Sequence, residues 1–157
     1  MKGTKIMLND VEQRLTKTIG RLRGEENRRA GVKDARIGHL SALAADIEGF
    51  AGELAFCRLF NVYPDLFVKV TRTKDDFGDA VVDGKRIDVK TSTYDTARLL
   101  VQPWKKPCRV DAFALMTGIF PSYTYRGMMA ADELLQEHRL RDFGHGKGYA
   151  ADQRELK

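Results

Sequence analysis

Apolar residues recur at helical spacing in the first third of the chain. From about Asn9 they follow one stripe, and with Asn9 or Asp10 as the N-cap this pattern predicts a helical segment over roughly residues 9–35. A second helix is predicted from about Ser41 to Phe60, and its apolar positions cover so much of its surface that we expect it to be largely buried. The stripes are Val11, Leu15, Ile19 and Leu22 in the first helix, and Leu43, Ile47, Phe50, Leu54 and Cys57 in the second.

An Asp-Gly pair between two short β-rich runs gives the clearest strand signal. Asp83 and Gly84 suit the centre of a type I′ turn, in which both residues adopt positive φ. This turn fixes the register of a hairpin and places Asp79 directly opposite Asp88, and alternation along the strands then assigns two faces. The predicted pairs are Val82–Lys85, Val81–Arg86 and Ala80–Ile87; the apolar face carries Ala80, Val82, Ile87 and Val89, and the other face carries Asp79, Val81, Arg86, Asp88 and Lys90.

The remaining pattern predicts further strands and one short helix. Strands are expected at 67–70, 98–102, 110–117 and 123–130, with a turn at 103–107 and a short helix at 132–140. The structure of the C-terminal segment after residue 149 is left open by its pattern. With 157 residues, 43% of them apolar, the chain is long enough for a core that needs no disulfide. We therefore expect residues 1–157 to form a single domain.

The charge balance is modestly basic. The chain has 27 lysines and arginines against 22 acidic residues, a formal net charge of +5 that suits a polyanionic partner such as DNA. The first helical segment is the most basic part of the chain, and Glu–Arg pairing on a solvated helix is the equal alternative to phosphate contact there. Trp104 lies in the predicted turn at 103–107. Stacking on a base is one interpretation of this residue, and a role as a structural anchor is the favoured one. The candidate nucleic-acid-binding residues are Arg21, Arg28, Arg29, Lys105 and Lys106.

Cysteine use and hydropathy favour a cytoplasmic location. Cys57 and Cys108 are the only cysteines, stand in apolar surroundings and show no metal-ligand spacing, so we expect two inert thiols in a reducing compartment. No apolar run approaches ~18 residues, and no membrane span is expected.

The facing carboxylates of Asp79 and Asp88 form the candidate functional site. Directly opposed residues have Cβ atoms about 4.5–5.5 Å apart, and like charges at that separation repel. A divalent cation would relieve the repulsion, since Mg²⁺ is commonly held by one or two carboxylates, and Lys90 on the same face would hold a water or a phosphate beside it. The alternative is a solvated hairpin face that carries these residues by chance. Asp76 is a rival to Asp79 for the same role.

Glu53 is the third candidate acid. It falls on an apolar line of the second predicted helix, so its carboxylate needs a partner. Gly49 and Gly52 would let this helix approach the sheet closely, at a cost of ~1 kcal/mol each in helix propensity. A salt bridge from Glu53 to a nearby arginine is the alternative to a place beside the metal.

The order of these acids and the lysine resembles the PD-(D/E)XK nuclease superfamily. Glu53 on a helix, Asp79 on the first hairpin strand and Asp88-Val89-Lys90 on the second strand match its motif, and the segment 49–55 looks like the small phage and archaeal resolvase-type members. The resemblance implies a restriction-endonuclease-like α/β fold, with a central mixed β-sheet flanked by helices. Two positions depart from the motif, because Gly78 replaces its proline and position 88 holds aspartate rather than glutamate.

The same resemblance implies a metal centre and a reaction. One or two Mg²⁺ ions would be held by Asp79, Asp88, the Val89 carbonyl and Glu53, and Lys90 would orient the nucleophile or neutralise developing charge. We therefore expect a Mg²⁺- or Mn²⁺-dependent endonuclease that hydrolyses phosphodiester bonds in DNA. The alternatives are a catalytically inactive nucleic-acid-binding protein with the same fold and a phage accessory protein whose partner is another protein. RNA as the substrate and a homodimer as the assembly both stay open.

Overall fold

The structure, a computed structural model, describes residues 1–32, 40–68, 77–105 and 109–157. In these ranges the helices are α1 (Asp10–Arg29), α2 (Ala42–Phe60) and α3 (Ala131–Leu134). The strands are β1 (Lys5–Met7), β2 (Ala80–Val82), β3 (Lys85–Ser92), β4 (Leu99–Val101), β5 (Ala112–Ile119), β6 (Ser122–Ala130), β7 (Leu140–Asp142) and β8 (Lys147–Ala151). Short 3₁₀ turns occur at Pro103–Lys105, Glu137–Arg139 and Gln153–Glu155.

A mixed five-stranded sheet forms the centre of the molecule. Its strand order is β1-β6-β5-β3-β2, in which only β3 and β5 run parallel and the other neighbours are antiparallel. A second, antiparallel sheet has the order β4-β8-β7. The predicted α/β class with a central mixed sheet is confirmed.

The two faces of the central sheet carry two hydrophobic cores. Ile87, Val89 and Ala114 face α2, which also packs against α1. Phe113 and Leu115 face the other way, toward the second sheet and α3. The helices therefore do not flank the sheet evenly, because the two long helices share one face and the small sheet covers much of the other.

Helix α1 begins where the sequence predicts. Asn9 is its N-cap and forms a capping box with Glu12, in which the Asn9 Oδ1 accepts the Glu12 N–H at 2.9 Å and the Glu12 carboxylate accepts the Asn9 N–H at 2.7 Å. The predicted stripe is wrong at its first member, since Val11 is 75% exposed. The contact with α2 is centred instead on small residues, and a Cβ at Gly20 would lie 3.0 Å from the Ile47 Cα.

Helix α2 is capped by Ser41 and ends at Asn61, which adopts the left-handed conformation that terminates many helices. Its central part is buried as predicted, although Leu43 in the first turn is exposed. A Cβ at Gly52 would lie 1.9 Å from the Thr91 Oγ1, so glycine is what lets α2 lie against β3. Gly49 has open space around its Cβ position, and the prediction that it serves the same approach is wrong. No helix in the described ranges is long and apolar enough to cross a membrane.

Several short elements differ from the sequence prediction. Phe67 and Val68 form no strand, and residues 69–70 of that predicted strand lie outside the described residues. The helix predicted at 132–140 is only the single turn of α3 followed by a 3₁₀ turn. Strands β1, β7 and β8 were not predicted, because three to five residues give too short a pattern, and β1 and β8 also pair with strands far along the chain. Asp76, Lys106 and Cys108 lie outside the described residues.

Candidate active site

The hairpin of β2 and β3 has the predicted turn and register. Asp83 and Gly84 adopt φ of 50° and 75°, and the ladder pairs Val82 with Lys85 and Ala80 with Ile87. The ladder ends there, so Asp79 and Asp88 are not a ladder pair. The Asp79 N–H donates instead to the Ile87 carbonyl at 2.8 Å, and its carboxylate accepts the Val89 N–H at 2.7 Å. Asp79 therefore sits against the edge of β3, where β2 no longer covers it.

The residue before Asp79 explains one departure from the nuclease motif. Gly78 has φ of +87°, and a Cβ there would lie 2.7 Å from the Ile87 carbonyl oxygen. Proline cannot adopt this conformation, because its ring fixes φ near −65°. Glycine thus supplies the sharp bend that turns Asp79 toward β3.

Gly78→Ala should destabilise the protein more than Gly84→Ala. Both glycines have positive φ, which costs alanine about 1–2 kcal/mol, but only Gly78 also lacks room for a Cβ. That overlap should lower the free energy of unfolding by a further ~1–3 kcal/mol. Urea denaturation of the two variants measures the difference, and equal losses would contradict the tight bend at Gly78.

Asp88 and Lys90 form an ion pair beside this bend. Asp88 is only 2% exposed, and the Lys90 ammonium contacts its Oδ1. The Lys90 side chain is 30% exposed and its Nζ also lies 6.0 Å from the centre of the Phe113 ring. A buried carboxylate thus has a partly accessible cation as a partner, on the face that the strand alternation predicts.

Glu53 reaches the site from α2 and is held by Arg23 of α1. The Arg23 Nη1 lies 2.7 Å from the Glu53 Oε2, and both side chains are largely buried. Arg23 also donates to the carbonyls of Asp65 at 2.5 Å and Phe67 at 3.2 Å, and its guanidinium lies 4.8 Å from the centre of the Phe50 ring. The sequence-based alternative of a salt bridge from Glu53 to an arginine is therefore confirmed.

Arg23 was not among the predicted site residues. A signal for it exists in the sequence, because Arg23 follows Ile19 by four residues and so falls on the buried stripe of α1. A cation on a buried stripe needs an anionic partner. Which acid that partner is could not be read from the sequence, since α1 and α2 could pack in several registers.

Burial and neighbouring acids raise the pKa of two carboxylates in the site, Asp79 and Glu53. The pKa of Asp79 lies well above its usual range, chiefly because it is buried and then because Glu53 and Asp88 are close, despite the hydrogen bond from Val89. Burial also raises the pKa of Glu53, against the opposing effect of Arg23. The charge of Lys90 lowers the pKa of both Asp79 and Glu53. The structure therefore brings together four residues of the predicted site, Glu53, Asp79, Asp88 and Lys90.

Carboxylate oxygens are the donors that hard cations such as Mg²⁺ and Mn²⁺ prefer. Within the part of the chain that the structure describes, no three acids, histidines or cysteines are grouped closely enough to form a metal cage. Mg²⁺ is commonly held by one or two carboxylates, with water completing its coordination. Asp79 and Asp88 are two neighbouring carboxylates, and the charge of Asp88 is one of the causes that raise the pKa of Asp79.

The metal-free protein should lose stability as pH rises. An acid whose pKa is higher in the folded than in the unfolded chain binds more protons when folded, so the free energy of unfolding falls as pH rises from the unfolded pKa, about 3.9 for aspartate, toward the raised value. Thermal melts in a chelator across this range test the sign, and Asp79→Asn should flatten the slope. Asp83→Asn, in the exposed turn, is the matched control; a slope that Asp79→Asn leaves unchanged would contradict the assignment.

The predicted nucleic-acid-binding arginines lie on the outer surface of α1 and are paired. Arg21 lies 3.0 Å from Glu25, Arg29 lies 3.3 Å from Glu26, and Arg28 lies 3.8 Å from Asp46 of α2. The Glu–Arg pairing foreseen as the alternative is thus present, although such exposed pairs are weak and do not prevent phosphate contact. The side chains of Lys105 and Lys106 are outside the described part of the chain.

Fold and site together define an α/β protein with a buried acidic cluster at the edge of a mixed sheet. Residues 2–143 match the sequence model of a family of unknown function, DUF5843, and the chain belongs to this family. No curated protein and no solved structure matches the chain.

Proposed function

We propose that the protein is a metal-dependent nuclease of the PD-(D/E)XK type that hydrolyses phosphodiester bonds in DNA. The observation that carries the proposal is the convergence of Glu53, Asp79, Asp88 and Lys90 from three elements on one partly buried site. Buried like charges are costly, and groups with raised pKa values gathered at one place are typical of catalytic sites.

Each residue has a role in this proposal. Asp79 and Asp88 would hold Mg²⁺ or Mn²⁺ with the Val89 carbonyl, and Glu53 would bind a second ion or a water beside it. When bound, such an ion neutralises charge on the phosphate and makes water more acidic. Lys90 would donate to the phosphate or orient the attacking water, acting where negative charge develops. Arg23 keeps Glu53 in place through their ion pair.

A specific observation also favours the alternative of a non-catalytic protein. Lys90 already pairs with Asp88 and Arg23 with Glu53, as in a purely structural ion-pair network. Such a protein would bind nucleic acid, or another protein as a phage accessory factor, without cutting. The net charge of +5 agrees with nucleic acid as a partner in either case.

One experiment separates the two functions. The purified protein is incubated with Mg²⁺, Mn²⁺ or a chelator and with linear, circular, single-stranded and branched DNA and an RNA control. We expect cleavage of DNA that depends on the metal, and we expect Asp88→Asn to abolish it. Binding without cleavage under any of these conditions would replace the nuclease by the non-catalytic alternative, and cleavage of RNA alone would change the substrate.

DNA binding should weaken steeply with salt. Each phosphate that a cation neutralises contributes about −0.9 to the slope of log affinity against log salt. Replacing Arg21, Arg28 and Arg29 together by glutamine should reduce the magnitude of that slope by about 3, one for each lost contact. Arg154→Gln, at the exposed C-terminal turn, is the control, and an unchanged slope in the triple variant would remove α1 as the DNA-binding surface.

The proposed location is the cytoplasm. Cys57 is a buried free thiol, and burial raises its pKa to about 12, which supports the expectation of an inert thiol.

A further inference from the structure

A cleft of about 850 Å³ opens beside the acidic cluster, and Asp79 is part of its wall. Its volume lies within the ~300–1,000 Å³ that is usual for sites of small organic groups. The segment after α2 and the bend before β2 line it, and most of the lining is apolar. This largely apolar cleft therefore lies next to the proposed active site. The roles proposed for Glu53, Asp79, Asp88 and Lys90 do not account for it.

Two aromatic rings that line this cleft are largely exposed among the described residues. Tyr63 is 81% exposed and Phe67 is 77% exposed, although both line the cleft. Exposed aromatic rings are costly in water and are typical of surfaces on which unpaired bases stack. A base inside a duplex already has both faces covered, so only an unpaired base offers a face to such rings.

Cations accompany the rings. Phe77, also in the lining, lies 5.6 Å from the guanidinium of Arg86 and 5.3 Å from that of Arg109. Arg86 itself lines the cleft. Apolar rings for a base and the Arg86 guanidinium for its phosphate thus line one cleft, and Asp79 of the acidic cluster lies in its wall.

The cleft is also held in shape from the active-site side. The Arg23 guanidinium that pairs with Glu53 donates to the carbonyls of Asp65 and Phe67, so it fixes the backbone that carries the rings. Rings held in advance lose less conformational freedom when a ligand binds. The same arginine therefore connects the position of Phe67 to the position of a proposed catalytic carboxylate.

We propose that this cleft binds an unpaired nucleobase of a DNA strand, stacked on Tyr63 and Phe67 with its phosphate toward Arg86. The inference rests on the proposed function, and it narrows the substrate class to DNA with a single-stranded or frayed segment next to the bond that is cut.

The test uses short oligonucleotides that contain 2-aminopurine, whose fluorescence is quenched when the base stacks. Binding to the 157-residue chain in a chelator is compared for a single strand, the same sequence as a blunt duplex, and a single strand with abasic sites. We expect the single strand to bind at least tenfold more tightly than either, with quenching of the probe. Tyr63→Leu and Phe67→Leu should each weaken binding about tenfold, the usual effect of losing one stacked base.

Matched controls keep the result specific. Tyr94→Leu removes another exposed aromatic ring, 58% exposed and outside the cleft, and should change nothing. Because Tyr63 and Phe67 are so exposed, their leucine variants should melt as the wild type does. Equal affinity for the single strand and the duplex, or binding unaffected by both leucine variants, would overturn the inference. Undiminished binding of the abasic strand would do so as well, since it would show that no base is held.

The outcome is separable from that of the proposed function. Cleavage of duplex DNA in Mn²⁺ that the leucine variants leave unchanged would overturn the base-binding cleft and leave the nuclease standing. Base-dependent binding without any cleavage would support the cleft and overturn the nuclease.

Discussion

Lys90→Met should reduce the rate of DNA cleavage by about 10²–10³, the usual effect of removing one group that stabilises charge in the transition state. Binding of DNA should remain, because the side chain lies at the proposed site of reaction and not on the outer surface of α1, which is proposed to bind DNA. Single-turnover cleavage in Mn²⁺, with DNA affinity measured in parallel, separates the two effects. A variant that binds and cuts at the wild-type rate would show that Lys90 is a structural residue.

The structure adds an effect on stability to this prediction. Lys90 contacts the buried Asp88, so the variant leaves that carboxylate without its cation. The metal-free variant should therefore melt at a lower temperature than the wild type. Mn²⁺ should raise the melting temperature of the variant by more than it raises that of the wild type. Lys85→Met, which removes an exposed lysine from the same strand, should alter neither cleavage nor the response to Mn²⁺. A variant whose melting Mn²⁺ leaves unchanged would argue against a cation at Asp88.

Asp88→Asn should weaken Mn²⁺ binding by more than ~100-fold. Loss of a partner that merely orients a ligand already costs 10–100-fold, and here a proposed ligand itself loses its charge. Asparagine keeps the size of the side chain, so the loss should not come from altered packing. Calorimetric titration of the metal-free protein with Mn²⁺ near neutral pH measures the effect.

The same hairpin supplies the control for this titration. Asp83→Asn makes an identical chemical change at the turn, where asparagine also tolerates the observed φ of 50°. It should bind Mn²⁺ as the wild type does. If Asp83→Asn and Asp88→Asn bind Mn²⁺ equally well, the metal does not lie at Asp88 and the nuclease proposal loses its cofactor.

Local features of the site could be predicted from the sequence. The Asp83–Gly84 turn demands positive φ at two successive residues, which fixes the register of the β2–β3 hairpin and the face that Asp88 and Lys90 share. The N-cap at Asn9 and the extent of α2 follow from capping chemistry and apolar spacing in the same way. These features depend on neighbours within a few residues, so their physical causes can be read along the chain.

Only the tertiary structure decided how these pieces meet. The pairing of Arg23 with Glu53 depends on how α1 and α2 pack, and the parallel pairing of β3 with β5 brings together residues 25 positions apart, such as Asp88 and Phe113. The bend at Gly78, which places Asp79 against the Val89 N–H, could not be predicted either, because it depends on a close backbone contact with Ile87. Contacts between distant segments are selected by the packing of the whole core, and no local pattern specifies them.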